Sequence, residues 1–315
     1  MRNEFIKKLI ELAKIDQRIV LLTADLGFSV VEEFAKNFPD RFYNVGVSEQ
    51  NMVGLATGLA KDGFIPFVYS IAPFVLLRPF EFVRNGPVFH RLPVRFVGIG
   101  CGFEYGTLGS THHLLEDIAL VRSQPGFMYV APSNDAQTPQ ALEKTYQATG
   151  PIFYRIGKGS TKILEQQKEF NPQQLQIVQS GEKVVLFSLG AICAEAEIAV
   201  KNLLQKNIKI TFAAIPTFEK PVLDEIKNLL QKHDLVITLE SHYSNGGIGS
   251  MIAEIIAENG INCRLKKMAV KKLSDGIYGS EKFLYQKNNL DSESVEENIF
   301  NYFLNESCVS NKSKF

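Results

Sequence analysis

The chain of 315 residues is 45% hydrophobic and carries 34 basic and 34 acidic side chains, so its formal net charge is zero. A chain of this size and composition can bury a large core, and its length predicts about two domains. The balanced charge excludes the overall electrostatic attraction that nucleic acids and anionic membranes require, and neither is an expected partner.

The N-terminal segment MRNEFIKKLIELAK alternates charged and apolar residues at helical spacing and lacks the uninterrupted apolar stretch of a signal peptide. No stretch of the sequence approaches the roughly 20 apolar residues of a membrane-spanning helix. The four cysteines show no CxxC spacing, which favours buried free thiols in a reducing compartment. We therefore expect a cytoplasmic protein.

Short β-branched or aromatic runs alternate with helical patterns along the chain. In the first half these runs begin near residues 20, 42, 65, 94, 128 and 152. A second series follows a polar segment and begins near residues 184, 208, 235 and 263. The alternation predicts an α/β protein with two doubly wound domains on mainly parallel sheets.

The polar segment at 157–181, rich in Gln, Lys and Ser, is interpreted as a linker or a peripheral hairpin between the domains. We predict a first domain over 1–165 and a second over 166–305. An amphipathic pattern, SVEENIFNYFL, predicts a helix near the end of the second domain. The polar residues 306–315 predict a flexible tail.

The most informative segment is RFYNVGVSEQNMVGLATGLAKDGFIPFVYS at 41–70. It predicts a strand ending at Val47, Ser48 at the N-cap, and a helix whose small residues permit close packing, possible also across a subunit interface. Glu49 then lies at the carboxyl edge of a parallel sheet, where α/β proteins build their sites. The alternative interpretation is that Glu49 merely stabilises the positive end of the helix.

The motif G-V-S-E-Q-N resembles the pyrimidine-binding domain of the transketolase family. In that family the glutamate of the motif hydrogen-bonds N1′ of the aminopyrimidine ring of thiamine diphosphate. The resemblance therefore implies that Glu49 is a catalytic residue and a coenzyme ligand. A proton shared with N1′ favours the 4′-imino tautomer, whose nitrogen can take the proton from C2 of the thiazolium.

The following segment, IAPFVLLRPFEFVRNG at 71–86, resembles the family segment that stacks an aromatic ring on the pyrimidine. The resemblance places Phe74 in that role, although a phenylalanine in an apolar run is more often a core residue. Where the family often has a second phenylalanine, this chain has Ile71. We expect Ile71 and Arg78 to belong to the coenzyme site as well.

The segment GCGFEYGTLGSTHHLLEDIALVRSQPG at 100–126 resembles the substrate loop of the family. The resemblance implies that His112 assists proton transfer, a task that suits an imidazole near neutral pH. It leaves His113 undecided between substrate binding and a structural bond. Gly100 and Leu108 replace the histidine and the aspartate that bind hydroxyl groups of the donor substrate in the family. These departures imply a different donor or a loss of activity.

Further positions of the resemblance concern the substrate. Arg155 and Lys158 occupy places where transketolases bind a substrate phosphate, although both could equally be ordinary solvated side chains. Lys158 stands where arginine is usual, so it would bind phosphate as a point charge. His242 could approach a substrate channel, but a packing role is the favoured interpretation. The glycine cluster near 247 is only weak support for phosphate binding.

The G-D-G motif and distant asparagine that hold the diphosphate and its metal in this family are not present in this sequence. The resemblance thus implies thiamine diphosphate and Mg²⁺ or Ca²⁺ as cofactors, with no metal ligand on this chain. The metal ligands are expected on a separate N-terminal transketolase-like subunit, in a heterotetramer with two copies of each chain.

We predict the pyrimidine-side subunit of a split transketolase-like enzyme. It would transfer a ketol or acyl unit from a ketose or 2-oxo acid donor to an aldehyde or sugar acceptor. One alternative is a β subunit of a 2-oxo-acid decarboxylase or dehydrogenase complex, which would contact a lipoyl-bearing partner. Another is a non-catalytic subunit that kept the fold.

Overall fold

A computed structural model describes residues 1–159, 169–272 and 276–312, with side chains up to Leu304. The first sheet has six strands, all parallel, in the order β2-β1-β3-β4-β6-β5. The strands are β1 Ile19–Thr23, β2 Phe42–Asn44, β3 Ile65–Ile71, β4 Arg95–Ile99, β5 Met128–Val130 and β6 Ile152–Ile156. Strands that are buried on both faces have continuous apolar sequences, which explains why the sequence predicts their positions well.

Helices connect these strands and cover both faces of the first sheet. They are α1 Arg2–Ile15, α2 Glu32–Asn37, α3 Glu49–Lys61, α4 Ala72–Val75, α5 Phe80–Val83, α6 Asp117–Arg122 and α7 Gln137–Thr145. A π-helical turn follows α5 at Arg84–Val88. Short 3-10 turns lie at Pro39–Arg41, Gly106–Leu108 and Ser110–His112.

The second sheet has five strands in the order β11-β10-β8-β9-β7. They are β7 Gln176–Gln179, β8 Val184–Ser188, β9 Thr211–Ala214, β10 Leu235–Tyr243 and β11 Arg264–Val270. Only β7 runs antiparallel to its neighbour among these pairings. The predicted α/β class, with two doubly wound and mainly parallel sheets, is confirmed.

Strand β7 lies within the segment that the sequence predicts to be a linker or hairpin. It is an edge strand whose Val178 is buried while the adjacent Ile177 is exposed. Edge strands commonly carry polar residues because they have one open side. The polar glutamines at both ends of β7 therefore explain why the sequence pattern does not predict this strand, which pairs with β9.

The helices of the second domain are α8 Cys193–Gln205, α9 Lys220–Leu230, α10 Ile248–Asn259, α11 Glu281–Lys287 and α12 Ser292–Lys312, with a 3-10 turn at Gly190–Ile192. Helix α12 contains the predicted amphipathic segment, and its backbone continues through 306–312, where the sequence predicts a flexible tail. The predicted boundary at residue 165 falls outside the described residues.

Three apolar cores hold the layers together. Phe5 of α1 packs with Tyr154 on the outer face of the first sheet. The adjacent Phe153 points the other way, into a middle core that also contains Phe187 of the second sheet. Val200 of α8 belongs to the third core, on the outer face of the second sheet. Because neighbouring strand residues point to opposite faces, each sheet contributes to two cores.

Of the cysteines whose side chains are described, Cys101 and Cys193 are buried free thiols and Cys263 is half-buried. Cys308 lies beyond the described side chains. Within the described residues, no helix combines the length and apolar character needed to span a bilayer.

Candidate active site

Several of the predicted site residues come together at the carboxyl edge of the first sheet. Glu49 begins α3 after β2, Phe74 lies in α4 after β3, and His112 ends a 3-10 turn in the loop after β4. Ser48 occupies the N-cap position of α3, as predicted, but its side chain makes no capping bond. Parallel strands present their following loops on one edge, so segments distant in sequence can form one site.

The carboxylate of Glu49 is buried, with 2% of the side chain exposed, and it has an ion-pair partner. Nη1 of Arg78 donates a hydrogen bond to Oε2 of Glu49 at 2.7 Å. An unpaired carboxylate at this depth would cost several kcal/mol. The pairing of Arg78 with Glu49 therefore allows an ionised group to be placed at the edge of the core.

Arg78 also contacts the predicted stacking residue. Its Cζ lies 4.1 Å from the centre of the Phe74 ring. The Phe74 and His112 rings meet edge to face, with their centres 5.1 Å apart. Nδ1 of His112 lies 3.0 Å from the hydroxyl of Thr111. One continuous series of contacts thus joins Glu49, Arg78, Phe74 and His112, and we call these four residues the Glu49 cluster.

Ile71 is not part of the Glu49 cluster. It ends β3, is half-buried, and packs against the core on the outer face of the first sheet. Its described contacts are with that core, and its predicted place in the coenzyme site stays a prediction.

Gly100 follows β4 and has a φ of +71°, a conformation that side-chain-bearing residues rarely adopt. A Cβ at this position would also clash with the ring of Tyr105. Nζ of Lys158 lies 4.3 Å from the centre of the same ring. The absence of a side chain at Gly100 therefore leaves room for the ring of Tyr105, a residue that the sequence analysis did not single out.

Leu108 and His113, two further candidates in the loop after β4, have different surroundings from His112. Leu108 ends a 3-10 turn and is exposed. His113 is 5% exposed, packs edge to face against Phe103, and lines a cavity of about 180 Å³ between the two domains. Burial lowers the pKa of His113. The structure thus separates the adjacent histidines, with His112 in the Glu49 cluster and His113 at the domain interface.

Arg155, predicted at a phosphate site, is buried between the domains. Its guanidinium pairs with the carboxylate of Asp117 in α6 and donates a hydrogen bond to the carbonyl of Ser241 in the second domain at 3.2 Å. The Tyr129 hydroxyl donates to the same Asp117 carboxylate at 2.7 Å. These bonds occupy Arg155 in the interior, whereas Lys158 remains exposed.

His242 and the glycine cluster also have internal partners. Nδ1 of His242 is bonded to the carbonyl of Tyr243 at 2.6 Å, and Nε2 accepts from the amide of Ala119 at 3.4 Å. The amides of Ile248 and Gly249, which begin α10, donate to the carboxylate of Glu240. Both ring nitrogens of His242 therefore have internal partners, and a protein carboxylate occupies the helix terminus.

Burial raises the pKa of Glu104 to about 8, and the nearby Glu281 carboxyl adds to the shift. Folding therefore favours the protonated form, and this stabilisation is full below about pH 4.5 and lost as the pH rises through about 8. We expect Glu104→Gln to flatten the fall in unfolding free energy over this range, measured by urea denaturation. Glu33→Gln, at an exposed site, is the control; an unchanged slope in Glu104→Gln would contradict the assignment.

Among the described residues, no group of three or more His, Cys, Asp or Glu side chains is arranged to hold a metal ion. The Glu49 cluster offers a different set of groups. It combines a buried carboxylate, an aromatic ring and an imidazole, which suit a flat heteroaromatic ligand with a basic ring nitrogen.

Comparisons with known proteins agree with this architecture. Residues 1–162 match the family described as "Transketolase, pyrimidine binding domain", and residues 173–295 match "Transketolase, C-terminal domain". An apulose-4-phosphate transketolase subunit of Actinobacillus succinogenes is 30% identical over 297 residues, covering 94% of this chain and 96% of that protein.

Two further relatives are similar along most of their length. A 6-deoxy-6-sulfo-D-fructose transketolase subunit of a Clostridium species is 31% identical, covering 82% of this chain and 81% of that protein. A solved split-gene transketolase, described as an inactive β4 tetramer, is 30% identical with a TM-score of 0.82 and covers 94% of this chain and 95% of that chain.

The fold and the matched domains define a subunit of a thiamine-dependent α/β enzyme. The chain belongs to the transketolase family, and it carries the pyrimidine-binding and C-terminal domains of that family.

Proposed function

We propose that this chain is the pyrimidine-side subunit of a split thiamine-diphosphate enzyme that works with a separate subunit. It transfers a ketol or acyl unit from a ketose or 2-oxo acid donor to an aldehyde or sugar acceptor. The observation that carries this proposal is the buried Glu49 carboxylate at the carboxyl edge of the first sheet, which is linked through Arg78 to Phe74 and through Phe74 to His112.

Each side chain of the Glu49 cluster has a role in this proposal. Glu49 holds a proton against N1′ of the aminopyrimidine, and the Phe74 ring orients that heterocycle by stacking, which contributes about 0.5–1.5 kcal/mol. When bound, thiamine diphosphate supplies the carbon nucleophile that adds to the donor carbonyl. His112 exchanges a proton with the substrate at Nε2, because the Thr111 hydroxyl engages Nδ1.

The partner is proposed to be an N-terminal transketolase-like subunit that binds the diphosphate through Mg²⁺ or Ca²⁺. Support comes from the matched families, which account for the pyrimidine-binding and C-terminal domains of this chain. Similarity to relatives named as transketolase subunits also supports a two-chain enzyme. We propose a heterotetramer with two copies of each chain, located in the cytoplasm.

Exposed large apolar side chains on the segments that carry the site are proposed to form the contact surface for the partner. They lie after β2, on α3 and around α5, namely Val47, Leu55, Leu77, Phe82 and Phe89. Gly54 and Gly58 of α3 have open space where a side chain would lie, so a neighbouring chain could approach the helix backbone closely. Covering this surface would bury apolar area and enclose the site.

Substrate selection is proposed to differ from that of ordinary transketolases. Tyr105 occupies the space beside Gly100, and exposed Leu108 offers no hydrogen bond to a donor hydroxyl. Lys158, held over the Tyr105 ring, remains the candidate for a substrate phosphate. A screen of ketose and 2-oxo acid donors on the two-subunit complex would identify the donor, and turnover requiring a lipoyl domain would favour the 2-oxo-acid alternative.

We expect the purified chain alone to bind thiamine diphosphate poorly and the complex with the partner subunit to bind it tightly and with metal dependence. The physical reason is that this chain contributes the ring contacts, whereas the partner contributes the diphosphate and metal contacts. Calorimetry on the chain with and without the partner measures the difference. Equal affinity in the two titrations would refute the division of the site between chains.

A further inference from the structure

We propose that Arg78 is a positioning residue for Glu49: it neutralises the carboxylate through Oε2 and so leaves Oε1 to meet the ring nitrogen of the coenzyme. This inference rests on the proposed function. It concerns how one buried carboxyl group is oriented and charged before the coenzyme binds.

The ion pair joins two separate segments of the first domain. Glu49 is the first residue of α3, whereas Arg78 lies between α4 and α5. The Glu49 side chain is 2% exposed and that of Arg78 is 40% exposed. In the part of the chain that the structure describes, Arg78 is the one cationic side chain within ion-pairing distance of Glu49. The buried carboxylate therefore depends on a partner that reaches it from the surface.

The Phe74 ring fixes the direction of that partner. The guanidinium of Arg78 lies over one side of the ring, with Cζ 4.1 Å from its centre, while Nη1 donates to Glu49. A planar guanidinium that is stacked and hydrogen-bonded at once loses most of its freedom to rotate. Phe74 therefore helps to hold Arg78 in the position from which it pairs with Glu49.

Arg78 gives the Glu49 carboxylate a charged partner on one oxygen, Oε2. Charge-assisted hydrogen bonds of this kind are stronger than neutral ones. In the proposed site Oε1 is then the oxygen that faces the ring nitrogen of the coenzyme. Without the arginine, the carboxylate would be buried and unpaired, which is unfavourable.

The first test uses the chain without coenzyme. Arg78→Met should lower the midpoint of thermal unfolding, because it leaves the buried Glu49 carboxylate without a partner. The same change in a Glu49→Gln background should have a much smaller effect, and Arg78→Lys should recover part of the loss. Arg84→Met, at an exposed site in the same segment, is the matched control. Equal losses in both backgrounds would show that Arg78 does not act through Glu49.

The second test uses the complex with the partner subunit. We expect Arg78→Met to slow C2 proton exchange of bound thiamine diphosphate by at least about 10-fold, with a smaller change in coenzyme affinity, and Arg78→Lys to restore part of the rate. Exchange is measured by NMR and affinity by calorimetry. Tighter coenzyme binding with wild-type exchange would overturn the inference, because Arg78 would then occupy the place of the coenzyme.

The two proposals fail in different ways. If Glu49→Ala in the same complex exchanges C2 protons normally, the proposed function is wrong. If Glu49→Ala abolishes exchange while Arg78→Met leaves both exchange and unfolding unchanged, the proposed function stands and the role of Arg78 is refuted.

Discussion

Glu49→Ala in the complex with the partner subunit is expected to slow C2 proton exchange of bound thiamine diphosphate by about 10²–10⁴-fold. The substitution removes the carboxyl group that shares a proton with the aminopyrimidine. It should leave the fold intact, because Arg78 is partly exposed and can be solvated after losing its partner. Exchange is measured by quenched incubation in deuterated water followed by NMR, and catalytic turnover should fall with it.

Two variants separate proton transfer from packing at this site. Glu49→Gln preserves the size of the side chain but cannot carry the proton, so its exchange rate should resemble that of Glu49→Ala. Glu81→Gln changes an exposed carboxyl group on nearby α5 and should exchange at the wild-type rate. Wild-type exchange in Glu49→Ala would remove the mechanism proposed for this subunit.

Much of the proposed coenzyme site can be predicted from the sequence because the motifs that mark it are short and local. Glu49 follows a strand directly and begins a helix, and the resemblance of its motif supplies a role that position alone cannot. Parallel strands then bring Phe74 and His112 to the same edge, where Phe74 contacts Arg78 and His112 contacts Phe74. Their assigned roles remain predictions. The ion pair itself was not foreseen, although an arginine within the apolar run VLLRPF was a signal for it.

The substrate side could not be predicted as well because burial there depends on the second domain. Arg155 lies near the end of β6, where a basic residue could equally be solvated, but its partners are Asp117 on α6 and a carbonyl of β10. No local sequence pattern predicts such a contact between domains. The reason for a glycine at position 100 is equally hard to predict from the sequence, because it depends on the ring of Tyr105. Sequence patterns indicate which residues can perform chemistry, whereas the packing between domains decides which of them remain available.

Arg155→Met is expected to lower the free energy of unfolding by about 3–5 kcal/mol, because it leaves the buried carboxylate of Asp117 without its cation. Asp117 is fully buried, and its Oδ1 has no hydrogen-bond partner among the described residues, so the charge cannot easily be compensated. Urea denaturation of the chain measures the loss. A surface phosphate ligand would behave differently: its removal would raise the KM of a phosphorylated substrate and leave stability almost unchanged.

A second substitution distinguishes a stranded charge from lost packing around Arg155. In the double variant Arg155→Met with Asp117→Leu, both charged groups are replaced by apolar side chains, and most of the lost stability should return. Lys206→Met provides a control at a partly exposed pair with Glu296, where a change within about 1 kcal/mol is expected. If the double variant is as unstable as Arg155→Met alone, the guanidinium stabilises the domain interface through its bond to Ser241 and its packing, and the ion pair with Asp117 contributes little.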